Sequence, residues 1–227
     1  MPFPMIHLFV AKKIATLHPE LIKNLSQFYL GALSPDSVHF RAEFIANDKK
    51  TTHLCVSDEN WGEVTNNSQW IDCVISFLYE HKDSKNSCFA LGYVVHILSD
   101  IYNNIHIWTP YRRRTKLQVG KYYGSTYHKE QAIVDFRLAC EFNHKKEVWD
   151  LLEKSKAVTI QNIVSAEDIE KLRENILRVQ YKNNISGTIA TELYTYDDAL
   201  KQIDNTALFV SDILKSPKSA SDLINSF

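Results

Sequence analysis

Apolar residues recur three and four positions apart along most of the chain. This spacing lines one face of an α-helix, and it first appears between Pro4 and Leu17. The same pattern predicts further helices over residues 19–30, 68–82, 87–107, 125–142, 144–154, 165–181 and 196–214. Glycine and proline number six each in 227 residues, which disfavours an all-β fold because such a fold needs many turns. We therefore expect an all-α protein, a single-domain multi-helix bundle over residues 1–227.

Four stretches lack this helical periodicity. Residues 34–62 form a long polar connection, and connections of this length in a compact protein are often functional. Residues 110–116 are predicted to be a basic loop, which contains Arg112, Arg113 and Arg114. Residues 182–191 and the serine-rich tail from Lys215 are predicted to be a loop and a frayed end.

The helix predicted over residues 87–107 is apolar on almost every side, yet it carries His96 and Asp100. Residues four apart lie on one face of a helix. An unpaired buried charge is costly, so this pair needs a partner. The partner is either a metal ion or the pair itself, and the sequence leaves both alternatives open.

Composition removes several classes of function. The net charge is −1, so no global basic field favours nucleic acids, and no stable nucleic-acid binding is expected. The four cysteines form no CxxC pair, which excludes a zinc ribbon and a thioredoxin-like motif. There is neither a signal-peptide pattern nor an apolar run long enough to span a membrane. We therefore expect a cytoplasmic protein.

Several segments of the chain resemble a known family. The spacing His96-x3-Asp100-x5-His106 resembles the core motif of the zinc-dependent phospholipase C family and of the related single-strand-specific zinc nucleases. An uncharacterised intracellular bacterial branch of that family shares further segments with this chain, namely Pro4–His7, Gly31–Asp36, Gly92–Asp100 and the set Tyr127, Glu130 and Asp135. The resemblance covers about residues 4–136, and the predicted C-terminal helices over residues 144–214 carry no usable motif.

The resemblance implies a zinc site and names its residues. The implied metal ligands are His7, Asp36, His53, His96, Asp100, His106, Glu130 and Asp135. The family's closing His-x3-acid motif is absent, because His128-x3 ends at Ala132. We therefore expect one to three zinc ions, with two favoured over a trinuclear cluster. On an ideal helix His106 points about 80° away from the His96 face, so it joins the site only if the helix bends or ends before it.

The implied chemistry is hydrolysis of a phosphate ester. Asp36 or Glu130 is predicted to orient the attacking water as a general base. The guanidinium groups of Arg112, Arg113 and Arg114 either bind the substrate phosphate or form a solvated charge cluster. The substrate is expected to be a small-molecule or lipid-headgroup phosphate ester, and the sequence does not predict the oligomeric state. The alternative is a non-catalytic helical protein with a structural metal or a buried His–Asp pair and a partner-binding role.

Overall fold

The structure, a computed structural model, describes residues 3–182 and 190–217. Ten α-helices and no strand occur in these two ranges, which confirms the all-α class. The helices are α1 (Pro4–Leu17), α2 (Leu25–Gly31), α3 (Asp48–Thr52), α4 (Asn67–His81), α5 (Ser87–Asn103), α6 (Thr109–Thr115), α7 (Thr126–Glu141), α8 (Lys145–Lys154), α9 (Ala166–Asn175) and α10 (Tyr196–Lys215). Most of the loop predicted over residues 182–191 and nearly all of the tail lie outside the described residues. None of the described helices is long and apolar enough to cross a membrane.

The predicted second helix is shorter than its apolar pattern indicates. Residues 19–30 divide into a 3-10 turn, Pro19–Leu21, and α2, which begins four residues later. The Asn24 side chain accepts a hydrogen bond from the backbone N–H of Gln27 at 3.2 Å. Asn24 is therefore the N-cap that starts α2, and it separates the two pieces.

The long polar connection contains helical structure that the pattern did not predict. Ser34–Phe40 forms a 3-10 helix, and α3 forms a single short helix farther along. Helices this short show no amphipathic stripe, because they complete fewer than two or three turns. Periodicity therefore could not find them.

The predicted basic loop is a helix. After α5 the chain continues through a π-helical segment, Asn104–Trp108, directly into α6, which carries the arginines. Pro110 lies at the start of α6, where its missing N–H and fixed φ are tolerated.

Helix α5 lies at the centre of the described part of the chain. It packs against α1, α2, α4 and α10, and nearly all of its residues are buried. Two glycines allow α2 and α5 to cross with their backbones in contact. A Cβ atom on Gly31 would lie 2.1 Å from the carbonyl oxygen of Phe89, and one on Gly92 would lie 2.0 Å from that of Phe28. Only glycine fits at this crossing.

Candidate metal centre

Five donor side chains converge from three parts of the chain. His7 comes from α1, while Asp36 and His53 come from the 3-10 helix and from the residue that follows α3. His96 and Asp100 come from α5. All except Asp36 are at most 1% exposed, and the Asp36 side chain is 15% exposed.

The separations between donor atoms match those expected around a metal ion. The Nε2 atoms of His7 and His96 lie 3.8 and 3.7 Å from the Asp100 carboxylate, and Nε2 of His53 lies 3.0 Å from it. Nε2 of His53 and of His96 also lie 3.5 and 3.9 Å from the Asp36 carboxylate. Ligands about 2.1 Å from a tetrahedral zinc ion are separated by about 3.4 Å. The cluster is therefore already compact enough to chelate an ion.

Backbone carbonyls hold two of the histidines in the tautomer that binds metal. Nδ1 of His96 lies 2.8 Å from the carbonyl oxygen of Ala32, and Nδ1 of His53 lies 3.0 Å from that of Lys49. A carbonyl oxygen can only accept, so in this arrangement both Nδ1 atoms donate a proton. When these rings are neutral, the lone pair of each Nε2 therefore faces the carboxylates. Histidine ligands of zinc are usually oriented by such a hydrogen bond.

The crossing of α2 and α5 fixes the orientation of His96. Ala32 follows Gly31 directly, and the close approach of the two backbones brings its carbonyl within reach of the ring. The His7 ring stacks on the His96 ring, with the two centroids 3.6 Å apart and the ring planes 5° apart. The close helix crossing that Gly31 and Gly92 allow therefore helps to determine the geometry of the site.

His53 is held by two hydrogen bonds to the end of α3. Tyr93 Oη donates to the carbonyl oxygen of Thr52 at 2.5 Å, and Trp70 Nε1 donates to that of His53 at 2.6 Å. Leu54 follows with φ of 54°, a left-handed conformation that is uncommon for a non-glycine residue. This turn ends the helix and directs the chain away from the site.

The electrostatic state of the cluster favours cation binding. Burial lowers the pKa of His7 and of His96, so both rings are neutral near pH 7. Burial alone would raise the pKa of Asp36 and of Asp100. Lys49 and His53 reverse this at Asp36, and His53 and His96 reverse it at Asp100, so both carboxyl groups have a lowered pKa and are ionised.

Several buried polar atoms of the cluster lack a hydrogen bond. Both nitrogens of His7, Nε2 of His96 and Oδ1 of Asp100 find no partner among the described residues. Such atoms are costly in an interior, and native structures rarely leave four of them together. A divalent cation would accept lone pairs from one nitrogen of His7, from Nε2 of His96 and from the carboxylate. The residues present therefore fit a zinc ion.

Lys49 is a buried cation at the cluster, and it was not among the predicted site residues. Its Nζ lies 2.6 Å from Oδ1 of Asp36, and the residue is 3% exposed. Burial lowers the pKa of Lys49, but Asp36 and Asp100 more than offset this, so its pKa is raised and the ammonium stays charged. Lys50 follows it immediately, and nothing in the sequence distinguishes the two.

A pocket of about 250 Å³ reaches the cluster from outside. Asp36, Lys49 and His39 are among its lining residues. Burial and the nearby Lys49 lower the pKa of His39 to about 4, so this ring is neutral. The rest of the wall is largely aromatic and includes Phe3, Phe40, Tyr122, Tyr123 and His128. Asp36 is therefore the donor that joins the buried cluster to the pocket.

The comparison with protein families agrees with this donor set. The family model for zinc-dependent phospholipase C matches residues 6–182. The chain belongs to this family. No curated protein and no solved structure matches the chain. Membership in the zinc-dependent phospholipase C family supports a metal-dependent, phosphoesterase-like role and accounts for a buried set of histidines and carboxylates.

Two of the family-implied ligands, both on α7, have other partners. Oε2 of Glu130 accepts three backbone N–H groups, from Glu192 at 3.0 Å, Leu193 at 2.6 Å and Tyr194 at 2.9 Å. This arrangement tethers the segment before α10. The structure therefore does not bring Glu130 into the cluster, either as a ligand or as a base.

Asp135, the second acid, caps α1 instead of facing the cluster. Its carboxylate accepts the N–H of Met5 at 2.9 Å and the hydroxyl of Tyr181 at 2.5 Å. Burial raises the pKa of Asp135 to about 7, although both hydrogen bonds act in the opposite direction. Met5 lies two residues before His7, so Asp135 supports the helix that carries a candidate ligand.

His106 and the arginines also lie apart from the cluster. His106 lies in the π-helical segment Asn104–Trp108 that continues α5, and it is not among the described residues that group with His96 and Asp100. Its ring packs against Tyr102, with centroids 4.5 Å apart, and it lines a separate cavity of about 500 Å³ together with Arg114. Arg112 pairs with Glu63 at 3.0 Å.

The third arginine of the run, Arg113, is exposed on α6. Among the described residues that line the pocket at the cluster, none is an arginine. The predicted phosphate site therefore finds no support in the geometry, and the run corresponds to the alternative of a solvated charge cluster.

Proposed function

We propose that this member of the zinc-dependent phospholipase C family is a zinc-dependent phosphoric ester hydrolase. His7, His96 and Asp100 would hold the metal. The observation that carries the proposal is the buried group of nitrogen and carboxylate atoms that have no hydrogen bond among the described residues, beside two histidine rings that backbone carbonyls orient. A protein without a cation at this position would leave these lone pairs facing each other at 3.0–3.9 Å.

Asp36 is the residue best placed to act on a water molecule. When bound, a zinc ion lowers the pKa of a coordinated water and polarises a phosphoryl oxygen. Asp36 is ionised and lines the pocket, so its carboxylate can orient water at the pocket floor and accept its proton. Glu130, the other predicted base, has its Oε2 engaged by three amides.

The pocket favours a small substrate. A volume of about 250 Å³ accommodates a phosphate group with a modest substituent, and the aromatic rings Phe3, Phe40, Tyr122 and Tyr123 offer apolar contacts to that substituent. The phosphate would face Asp36 and Lys49. We infer a small-molecule or lipid-headgroup phosphate ester as the substrate class.

One observation favours the alternative of a structural metal. His7, His53, His96 and Asp100 are nearly inaccessible, and structural zinc sites are closed by four protein ligands, whereas catalytic sites keep one position open. The 15% exposure of the Asp36 side chain next to the pocket favours catalysis over this alternative.

Metal content and hydrolysis test the two functions separately. We expect purified protein to contain zinc, to lose thermal stability on addition of a chelator, and to hydrolyse bis(p-nitrophenyl) phosphate or p-nitrophenyl phosphate. Asp36→Asn should retain zinc but lose roughly 100-fold or more in rate, whereas the exposed control Asp83→Asn should lose neither.

The outcomes distinguish the alternatives. Protein that contains no divalent metal, and whose melting is unchanged by chelator, would contradict any metal-dependent role. Bound zinc without hydrolysis of either ester would establish the structural metal instead. The ratio of the two rates reports whether diesters or monoesters are preferred.

A further inference from the structure

Lys49 occupies a position inside the cluster that a second metal ion would otherwise use. Its ammonium lies 2.6 Å from Oδ1 of Asp36 and 5.5 Å from the centre of the Trp61 ring. Lysine is almost never this buried unless it is paired. Here the pairing is with a carboxylate that also faces two histidines, His53 and His96.

The donors can form two groups, but the groups share one atom. His7, His96 and Asp100 form the first group, and Asp36, His53 and His96 form the second. Nδ1 of His96 is engaged by the carbonyl of Ala32, so the residue has a single nitrogen for metal. An ion in the first group therefore leaves Asp36 and His53 for a second ion.

Lys49 then competes with that second ion for Asp36. Its ammonium forms an ion pair at 2.6 Å with Oδ1, the carboxylate oxygen nearest to His53. A divalent ion bound between Asp36 and His53 would have to displace the lysine or lie against it. Two cations in contact within a buried site repel strongly, because little solvent screens them.

The charge of the site leads to the same conclusion. Two carboxylates, Asp36 and Asp100, and the one ammonium of Lys49 give the described donors one net negative charge. One divalent ion changes this to one positive charge, which an anionic phosphate ester balances. Two divalent ions would leave three buried positive charges, which is far more costly.

We propose that the Lys49 ammonium takes the place of a second metal ion, so that the centre binds a single zinc ion. This rests on the proposed zinc-dependent function and narrows the ion count expected from the sequence, where two were favoured. Lys49 also lines the pocket beside Asp36. The site thus pairs one metal ion with one fixed ammonium, both facing a substrate phosphate.

Metal stoichiometry tests the proposal without any assay of activity. Cobalt or zinc is titrated into metal-free protein, and the tightly bound ions are counted by mass spectrometry after gel filtration. We expect about one ion per wild-type chain and about two per Lys49→Met chain, because the freed Asp36 and His53 then bind a second ion. Met has an unbranched, flexible side chain like that of Lys but carries no charge. Lys50→Met, on the same helix, is the matched control and should bind about one.

A double variant locates the second ion. Asp36→Asn combined with Lys49→Met removes the carboxylate as well as the ammonium, so the count should return to about one. If Lys49→Met alone does not fold, as judged by circular dichroism, Lys49→Gln replaces it in both comparisons, because glutamine can still hydrogen-bond to Asp36.

Each outcome has a distinct meaning. Two ions in the wild type, one ion in the Lys49 variant, or two in the double variant would overturn the proposal while leaving a zinc-dependent function intact. No ion in the wild type would instead overturn the proposed function, and this proposal with it.

Discussion

Two buried carboxylates, Asp100 on α5 and Asp135 on α7, differ in one respect that separates a metal site from a structural contact. They are 1% and 2% exposed. Both oxygens of Asp135 are saturated by protein donors, the N–H of Met5 and the hydroxyl of Tyr181. Oδ1 of Asp100 has no hydrogen bond among the described residues and lies 3.8 Å from Nε2 of His7.

The comparison shows that burial and residue type do not by themselves identify a ligand. A buried carboxylate that accepts hydrogen bonds from protein N–H and O–H groups stabilises the fold. A buried carboxylate oxygen that has no such donor needs a cation. The resemblance to the family placed Asp100 and Asp135 in the same ligand set, and their hydrogen bonds separate them. The predictions below test this separation.

The largest expected effect concerns zinc affinity. Asp100→Asn preserves shape but removes the charge that faces the histidines, so we expect zinc affinity to fall by more than about 100-fold, since changes to the supporting shell alone cost about 10- to 100-fold. Asp135→Asn, the same substitution at equal burial, should leave it unchanged. Competition with a chromogenic chelator measures both. Equal losses in the two variants would abolish the distinction between the carboxylates.

The next largest expected effect is the pH dependence of stability that arises from Asp135. The pKa of Asp135 is raised from 3.8 to about 7, so its contribution to folding is fully present below about pH 4 and is lost as the pH rises through 7. The loss is at most about 4 kcal/mol. Asp135→Asn does not titrate, so the variant should gain stability relative to the wild type between pH 5 and pH 8. Urea unfolding across this range measures the difference. A difference independent of pH would contradict the assignment.

In the zinc-bound protein, the stability that the cluster contributes should change with pH in the opposite direction to that of Asp135. Metal binding requires neutral histidines and ionised carboxylates, so stabilisation by zinc weakens as the pH falls. The zinc-dependent shift in melting temperature should therefore shrink from pH 7 to pH 5. The two sets of carboxylates are thus distinguishable by the sign of their pH dependence.

A substitution at the crossing of α2 and α5 is expected to lower the stability of the protein. A methyl group on Gly92 would lie 2.0 Å from the carbonyl oxygen of Phe28, so Gly92→Ala should destabilise the protein by about 3 kcal/mol or more. Gly120→Ala is the control, because no atom lies within 4 Å of the added methyl group. Thermal unfolding compares them. A Gly92 variant as stable as the control would show that the crossing does not hold the carbonyl that orients His96.

The smallest effect is expected at Glu130. Glu130→Gln keeps an acceptor for the three amides but loses its charge, which should cost about 1 kcal/mol of stability. Zinc affinity and the rate of hydrolysis should remain at the wild-type level. A folded variant with intact zinc and a rate reduced roughly 100-fold would instead restore Glu130 as the general base.

Several features of the fold were predictable because helices leave a periodic signal. The long helices α1, α4, α5, α7 and α10 were predicted from their apolar spacing and were confirmed with small shifts at their ends. The short helices of the connection between α2 and α4 were missed, because so few residues cannot display a period. The π-helical junction into α6 was also missed, since Pro110 reads equally well as a terminator and as a first-turn residue.

The site was partly predictable for a different reason. His96 and Asp100 lie on one helix, so their shared face follows from sequence spacing alone. His7, Asp36 and His53 were named through resemblance, and the structure places them beside that face. Their assignment as ligands stays a prediction until metal is measured.

What the sequence determined by itself was local: which segments are helical, and that the central helix carries a polar pair in apolar surroundings. The tertiary structure decided which donors meet that pair. It brought Lys49 into the cluster rather than Lys50, and it gave Glu130 and Asp135 to the backbone of other segments. The physical reason is that the spacing of residues in the sequence determines which side chains share a face within one helix, but not how different helices face each other. Whether a buried charge meets an amide, an ammonium or a lone pair depends on how separate helices pack.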